Sequence, residues 1–273
     1  MLGKMLENVR KTTPIVHNIT NYVTVNDCAN ILLACGASPI MSDDIDDVSD
    51  ITAVCSALNI NIGTLNQRTI PSMLAAGKES NKLNHPVLLD PVGAGASRLR
   101  TETAKKLIDE VHFSVIKGNI SEIKTLALGI GTTKGVDADI ADSVTEKTID
   151  NVICFAREFS EKTGAVIVIT GATDLVVDKT KAFIITNGNA MMSKITGTGC
   201  MLSAMMSAYI AANKDNITDA CVAAVCAMGL CGEKAFEQLS EKDGNATYRN
   251  MLIDEIYNLN EEALRKGAKY EMR

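Results

Sequence analysis

Two runs, Val87-Leu88-Leu89 and Val166-Ile167-Val168-Ile169, are apolar over the whole length of a short strand, and both lie between segments whose apolar residues recur at three-and-four spacing. A strand with one wet face alternates apolar and polar residues; a strand apolar on both faces has to be covered on both. This requires a layered fold with helices above and below a sheet. With these two included, β-branched runs occur at 14–17, 57–62, 86–90, 113–117, 165–170, 174–178 and 182–186. Helix-period stretches occur at 22–34, 67–81, 101–110, 149–163, 197–212, 218–239 and 251–266. Their alternation predicts an α/β fold around a mostly parallel central sheet with helices on both faces. No linker, repeat or low-complexity tract divides the 273 residues, so a single domain spanning 1–273 is expected.

A net charge of −6 with Lys and Arg thinly spread leaves no basic surface for nucleic acid, and the expected partner is a small molecule. The longest apolar run, residues 197–212, is shorter than the roughly 20 residues that span a bilayer. The first residues lack the apolar segment of a signal peptide, so the expected location is the cytoplasm, without membrane attachment. Eight cysteines without CxxC spacing read as reduced thiols, most of them in the core.

In open α/β sheets ligands bind beyond the carboxyl ends of the strands, so the residues that follow each strand carry the functional signal. After 86–90 comes Asp90-Pro91-Val92-Gly93. A carboxylate there serves either to hold hydrated Mg²⁺ or orient a substrate hydroxyl, or to cap the next helix from a turn. After 113–117 comes Lys117-Gly118-Asn119-Ile120-Ser121-Glu122, where Asn119 or Ser121 can cap a helix and Glu122 falls in its first turn. After 165–170 comes Thr170-Gly171-Ala172-Thr173-Asp174, either a phosphate- or ribose-contacting turn or an ordinary hairpin.

The fourth signal is Lys194-Ile195-Thr196-Gly197-Thr198-Gly199-Cys200 opening an apolar helix. Gly197 and Gly199 permit backbone conformations closed to other residues. Successive N–H groups can then converge at the positive end of the helix dipole and bind an anion. A tight entry into the core is the alternative. The third glycine of the dinucleotide fingerprint and the Gly-Lys-Ser/Thr of the P-loop are both missing. Taken together, the four elements supply what phosphoryl transfer from a nucleotide through Mg²⁺ requires.

The segments His17 to Val23, Ser38 to Met41, Asn61 to Thr64, Asp90 to Gly93, Lys117 to Glu122 and Gly197 to Cys200 occur in an order and spacing that resembles the hydroxyethylthiazole kinases of the ribokinase-like superfamily. The resemblance runs from about residue 10 to residue 265. It implies phosphorylation of 4-methyl-5-(2-hydroxyethyl)thiazole with ATP and Mg²⁺ for thiamine salvage, by a homotrimer with the thiazole site at subunit interfaces. It further implies that Met41, Asn21, Val23, Gly63 and Gly197 contact the substrate, that Lys117, Thr170 and Asn119 bind nucleotide, and that Asp90 and Glu122 serve the metal. Gly197, Gly199 and Cys200 become the catalytic turn. Lys117 stands where the family usually carries arginine, which keeps the charge and loses the bidentate fork. Cys200 stands where ribokinase relatives commonly carry an aspartate base. Cysteine here either accepts the hydroxyl proton, helped by the helix N-terminus, or positions the hydroxyl.

Outside these segments, His17 is expected to be a satisfied structural histidine. The acidic run 43–50 is expected to be the solvated start of a helix.

Overall fold

The computed structural model describes residues 1–129 and 144–273. They form one nine-stranded sheet in the order β2-β1-β3-β4-β5-β6-β7-β8-β9. The strands are β1 Ile15–Ile19, β2 Ser38–Met41, β3 Ala57–Asn61, β4 Val87–Asp90, β5 Val115–Asn119, β6 Val166–Thr170, β7 Asp174–Val177, β8 Ala182–Ile185 and β9 Tyr270–Met272. From β2 to β6 every pairing is parallel; β7, β8 and β9 continue antiparallel.

Helices cover both faces, as the two-faced apolar strands require. Along β4, Leu88 enters one core cluster and Val87 and Leu89 the other, so adjacent residues of one strand are buried on opposite sides. On the Leu88 side lie α1 (Leu2–Thr12), α2 (Val25–Cys35), α8 (Thr198–Ala212), α9 (Ile217–Glu237), α10 (Asn245–Asn258) and α11 (Glu261–Gly267). The other side includes α4 (Thr69–Lys82), α5 (Arg98–Glu110), α6 (Ile120–Gly129) and α7 (Ile149–Thr163). The short α3 (Val48–Val54) packs beside α4. In α8 every residue from Met201 to Ile210 is buried, which accounts for its almost unbroken apolar sequence.

Three expectations change and one holds. The stretch 251–266 is two helices: Leu259 is extended, and the Asn260 side chain caps α11 by accepting the Ala263 N–H at 2.9 Å. Residues 38–41 form a strand that carries Pro39, tolerated because β2 is a sheet edge. The acidic run is the solvated start of a helix, as expected: Asp47 is the N-cap residue of α3 and Asp50 lies in its first turn, while Asp43 and Asp44 pair with Arg68 at 3.5 and 4.0 Å. Strand β5 runs two residues further than the β-branched stretch suggests, ending at Asn119.

All eight cysteines are free, and six are buried; Cys200 is half-buried and Cys154 exposed. Burial pushes the Cys28 and Cys35 thiols up to about 12. His17 is fully buried with both ring nitrogens bonded, Nε2 to the Ser42 carbonyl and Nδ1 to Thr52 Oγ1, each at 3.0 Å. A carbonyl only accepts, so Nε2 carries the proton and Nδ1 accepts from the Thr52 hydroxyl.

Candidate active site

The carboxyl ends of β1, β3, β4 and β5 converge beneath the N-terminus of α8. The β3–β4 register sets Asn61 beside Asp90. Asp90 Oδ2 is the hub: it accepts from Asn61 Nδ2 at 2.9 Å, Lys117 Nζ at 3.1 Å and Ser203 Oγ at 2.7 Å. Three donors on one carboxylate oxygen offset the cost of burying its charge. Lys117 Nζ donates also to the Gly199 carbonyl at 2.9 Å, which ties the start of α8 to the sheet. Burial would lower the Lys117 ammonium, but the Asp90 carboxylate, with Cys200 and Glu122 beside it, holds it above the usual lysine value.

Cys200 Sγ accepts from Asn21 Nδ2 at 3.2 Å and Asn61 Nδ2 at 3.3 Å. Asn61 Oδ1 in turn receives Asn21 Nδ2 at 3.1 Å and the Gly63 N–H at 2.9 Å. Asn21 Oδ1 receives both the N–H and the hydroxyl of Thr24 at 3.1 Å. Asn21, Gly63, Asp90, Lys117, Gly199 and Cys200 are thereby joined in one hydrogen-bonded network, seated on four strand ends and one helix.

Gly197 caps α8 at φ +93°, in the left-handed region, and a Cβ there would meet Thr24 Cγ2 at 2.6 Å. With no capping side chain bonded, the first N–H groups of α8 point out of the helix end. Gly199 does not share this role. It is in helical conformation and a Cβ would meet only Lys117 Nζ, at 3.4 Å. The backbone freedom expected of both glycines belongs to Gly197 alone.

Glu122 lies in the first turn of α6, its Oε1 accepting the Gly93 N–H and its Oε2 the Asn119 N–H, both at 2.8 Å. Asn119 Oδ1 returns the bond to the Glu122 N–H at 2.9 Å, a reciprocal cap. Burial, together with the neighbouring Asp90 charge, raises the Glu122 carboxyl above the usual range against the pull of those two N–H bonds. Among the described residues no three His, Cys, Asp or Glu side chains cluster as a metal cage.

Thr170 ends β6 in register with Asn119 and donates to the Gly118 carbonyl at 3.5 Å. It opens onto a cavity of about 570 Å³ that extends from Thr198 and Gly199 to the β6–β7 turn at Gly171 and Asp174. The opposite wall, Asn187 to Ala190, approaches α9 at Gly229, where a Cβ would meet the Asn187 backbone at 2.7 Å. Burial pushes the Asp174 carboxyl up to about 6 although it accepts the Gly171 N–H at 2.8 Å.

Not every expected residue joins the network. Met41 ends β2 half-buried, packed with Cys200 against the same core cluster, while Val23 is 57% exposed. The Lys117 ammonium, expected at the nucleotide, is bonded to Asp90 and Gly199. Sequence reasoning missed Asn61 as a site residue, and Ser203. The available signals were the strand-end position of Asn61 and the four-residue spacing that sets Ser203 on the same helix face as Gly199.

A mostly parallel sheet with a glycine-capped helix N-terminus over its carboxyl edge, facing a strand-end aspartate, places the chain in the ribokinase-like fold class. A ribokinase-like superfamily protein from Enterococcus faecalis shares the fold with a TM-score of 0.63 at 14% identity, covering 94% of this chain and 89% of that one. Within that class the chain belongs to the hydroxyethylthiazole kinase family, whose model matches residues 6–262. It is 65% identical over 271 residues, 99% of each chain, to a hydroxyethylthiazole kinase of Clostridium acetobutylicum. The structure of a hydroxyethylthiazole kinase protein from Pyrococcus horikoshii matches with a TM-score of 0.88 at 32% identity, covering 100% of this chain and 98% of that one. The protein is a kinase whose phosphoryl acceptor is an alcohol.

Proposed function

We propose that this chain, acting as one domain, transfers the γ-phosphoryl group of ATP to the primary hydroxyl of 4-methyl-5-(2-hydroxyethyl)thiazole in thiamine salvage, as a cytoplasmic homotrimer. The observation that carries the reading is the position of Cys200. It lies at the open N-terminus of α8, held by Asn21 and by Asn61, which also bonds Asp90, while its helix neighbours Thr198, Gly199 and Leu202 line the 570 Å³ cavity. The nucleotide occupies that cavity, with Thr170 and Asn119 at its sheet side. The thiazole lies toward Met41, Gly63 and Asn21, where a soft thioether suits the ring. Val23, exposed on the single chain, reaches substrate across a subunit boundary.

Asp90 and Glu122, near enough that the Asp90 charge raises the Glu122 carboxyl, would hold a metal of the Mg²⁺ type partly through water, since Asp90 Oδ2 already accepts three bonds and each Glu122 oxygen a backbone N–H. When bound, the ion supplies positive charge to the phosphate oxygens. The free N–H groups at the start of α8 stabilise negative charge on the transferred group, and exclusion of water strengthens them. Cys200, fixed by two amide donors, positions the acceptor hydroxyl. A loose phosphoryl-transfer transition state needs alignment more than a strong base. Lys117 neutralises Asp90 and anchors Gly199, holding the turn rather than forking onto phosphate.

An ADP-release assay with the thiazole alcohol, ATP and Mg²⁺, with mass detection of the product, tests the reading. The expected result is a phosphorylated thiazole absent from the no-enzyme control. ADP release with some other alcohol alone would replace the substrate, and no turnover with any alcohol would refute the assignment.

A further inference from the structure

We propose that Arg100 is a positioning residue that fastens the acceptor side of the site to its metal side. The inference rests on the phosphotransfer reading above. Arg100 lies near the start of α5, whose first turn is fixed by Ser97 Oγ accepting the Arg100 N–H at 3.3 Å. From there the side chain reaches back over the ends of two paired strands. Nη2 donates to the Gly63 carbonyl at 2.7 Å, in the loop after β3, and Nη1 donates to the Val92 carbonyl at 3.4 Å, in the loop after β4.

Each anchored loop is bonded directly to the reaction centre. The Gly63 N–H donates to Asn61 Oδ1, and Asn61 holds both Asp90 and Cys200. The Gly93 N–H, one residue beyond Val92, donates to Glu122 Oε1. One planar guanidinium therefore spans two loops, one bonded through the Gly63 N–H to Asn61 on the acceptor side and the other bonded through the Gly93 N–H to the second carboxylate, Glu122 of α6. The β4 loop is shaped around it. Gly93 adopts φ +76°, and a Cβ there would lie 2.2 Å from Arg100 Nη1.

The half-buried Arg100 forms no ion pair among the described residues, so its charge is not spent on a structural carboxylate. A lysine at this position keeps the charge but cannot reach two carbonyls at once, because it lacks the rigid fork. Without the strap the two loops shift independently. Small misalignments of acceptor and phosphoryl group cost rate, while the nucleotide cavity, walled by Thr170 and Asn187 to Ala190, stays as it was.

The test is steady-state kinetics of full-length Arg100→Ala and Arg100→Lys beside wild type, with melting temperature read on each. In Arg100→Ala, kcat is expected to fall and the acceptor KM and half-saturating Mg²⁺ to rise by about tenfold, the loss expected of a charged hydrogen bond, with the ATP KM nearly constant. Arg100→Lys stays impaired, and low guanidinium partly restores Arg100→Ala without accelerating wild type. A merely structural arginine would lower the melting temperature without splitting the KM values or giving rescue, and that outcome overturns the proposal. So does an Arg100→Lys enzyme with wild-type constants, which also decides the matter if the alanine variant fails to fold. Failure of the function reading looks different: wild type itself then makes no phosphorylated thiazole.

Discussion

Asp90 and Lys117 form a buried pair whose side chains are 2% and 4% exposed, and each half depends on the other. The Asp90→Asn substitution leaves the ammonium in the core with only the Gly199 carbonyl and a neutral amide as partners. A stability loss of about 3–5 kcal/mol is expected, measured by denaturant unfolding, in addition to loss of turnover. Asp174 has the opposite character. Its carboxyl is raised by burial to about 6 from an ordinary 3.8, so the folded protein holds this proton more tightly than the unfolded chain does. The stability it contributes is therefore present at low pH and lost as pH rises through the folded value. Asp174→Asn keeps an acceptor for the Gly171 N–H and removes the buried charge. It should raise the melting temperature near pH 8 and leave it little changed near pH 4, and an increase equal at both pH values would disprove the charge argument.

Helix α8 carries the proposed anion site at its first turn and the hydroxyl that steadies Asp90 one turn later, with Ser203 Oγ shared between Asp90 and the Gly199 carbonyl at 3.2 Å. Its geometry separates two glycines that look equivalent in the sequence. Gly197→Ala forces a side chain into a left-handed cap and against Thr24, whereas Gly199→Ala adds one methyl in helical conformation beside Lys117 Nζ. The expected outcome is a loss of activity of about tenfold or more for Gly197→Ala, from a strain of roughly 1–2 kcal/mol at the turn, and a milder effect for Gly199→Ala. Equal kinetics for the two variants would remove Gly197 from the anion site. At this scale most of the longer helices and the central strands were legible because their apolar periods are strong, while α1 (Leu2–Thr12) was missed. The edge strand Ser38–Met41 was not, because Pro39 and incomplete burial erase its pattern.

Across the whole molecule, the loop after β1 and the helices α2 and α3 that flank strand β2 in the chain expose Tyr22, Val23, Leu33 and Val54, between 57% and 78% accessible. Scattered apolar residues are ordinary on a surface, but these lie on segments next to Asn21 and Met41. The homotrimer proposed above would cover them and complete the acceptor pocket. Light scattering coupled to gel filtration should give three times the chain mass of 29.1 kDa. Leu33→Glu with Val54→Glu should dissociate the assembly and raise the acceptor KM before the ATP KM. A monomeric wild type active at dilution would set the trimer aside. Among the described residues no helix is long and apolar enough to cross a membrane.

By itself the sequence determined the layered α/β architecture, through strands apolar on both faces, and the placement of the candidate residues Asp90, Glu122, Thr170 and the Gly197 to Cys200 turn at strand or helix ends. Those signals are local, since burial and chain reversal write themselves into neighbouring residues. Only the tertiary structure decided that Asn61 bridges Asp90 and Cys200, that Ser203 completes the carboxylate shell, that Lys117 is spent on Asp90, and that Arg100 spans two loops. Apart from the Arg100 bond to Val92, eight positions away, those contacts join residues far apart in the chain, from 27 positions for Lys117 and Asp90 to 139 for Asn61 and Cys200. They exist because sheet register and helix packing bring particular side chains to one point, which no local pattern encodes.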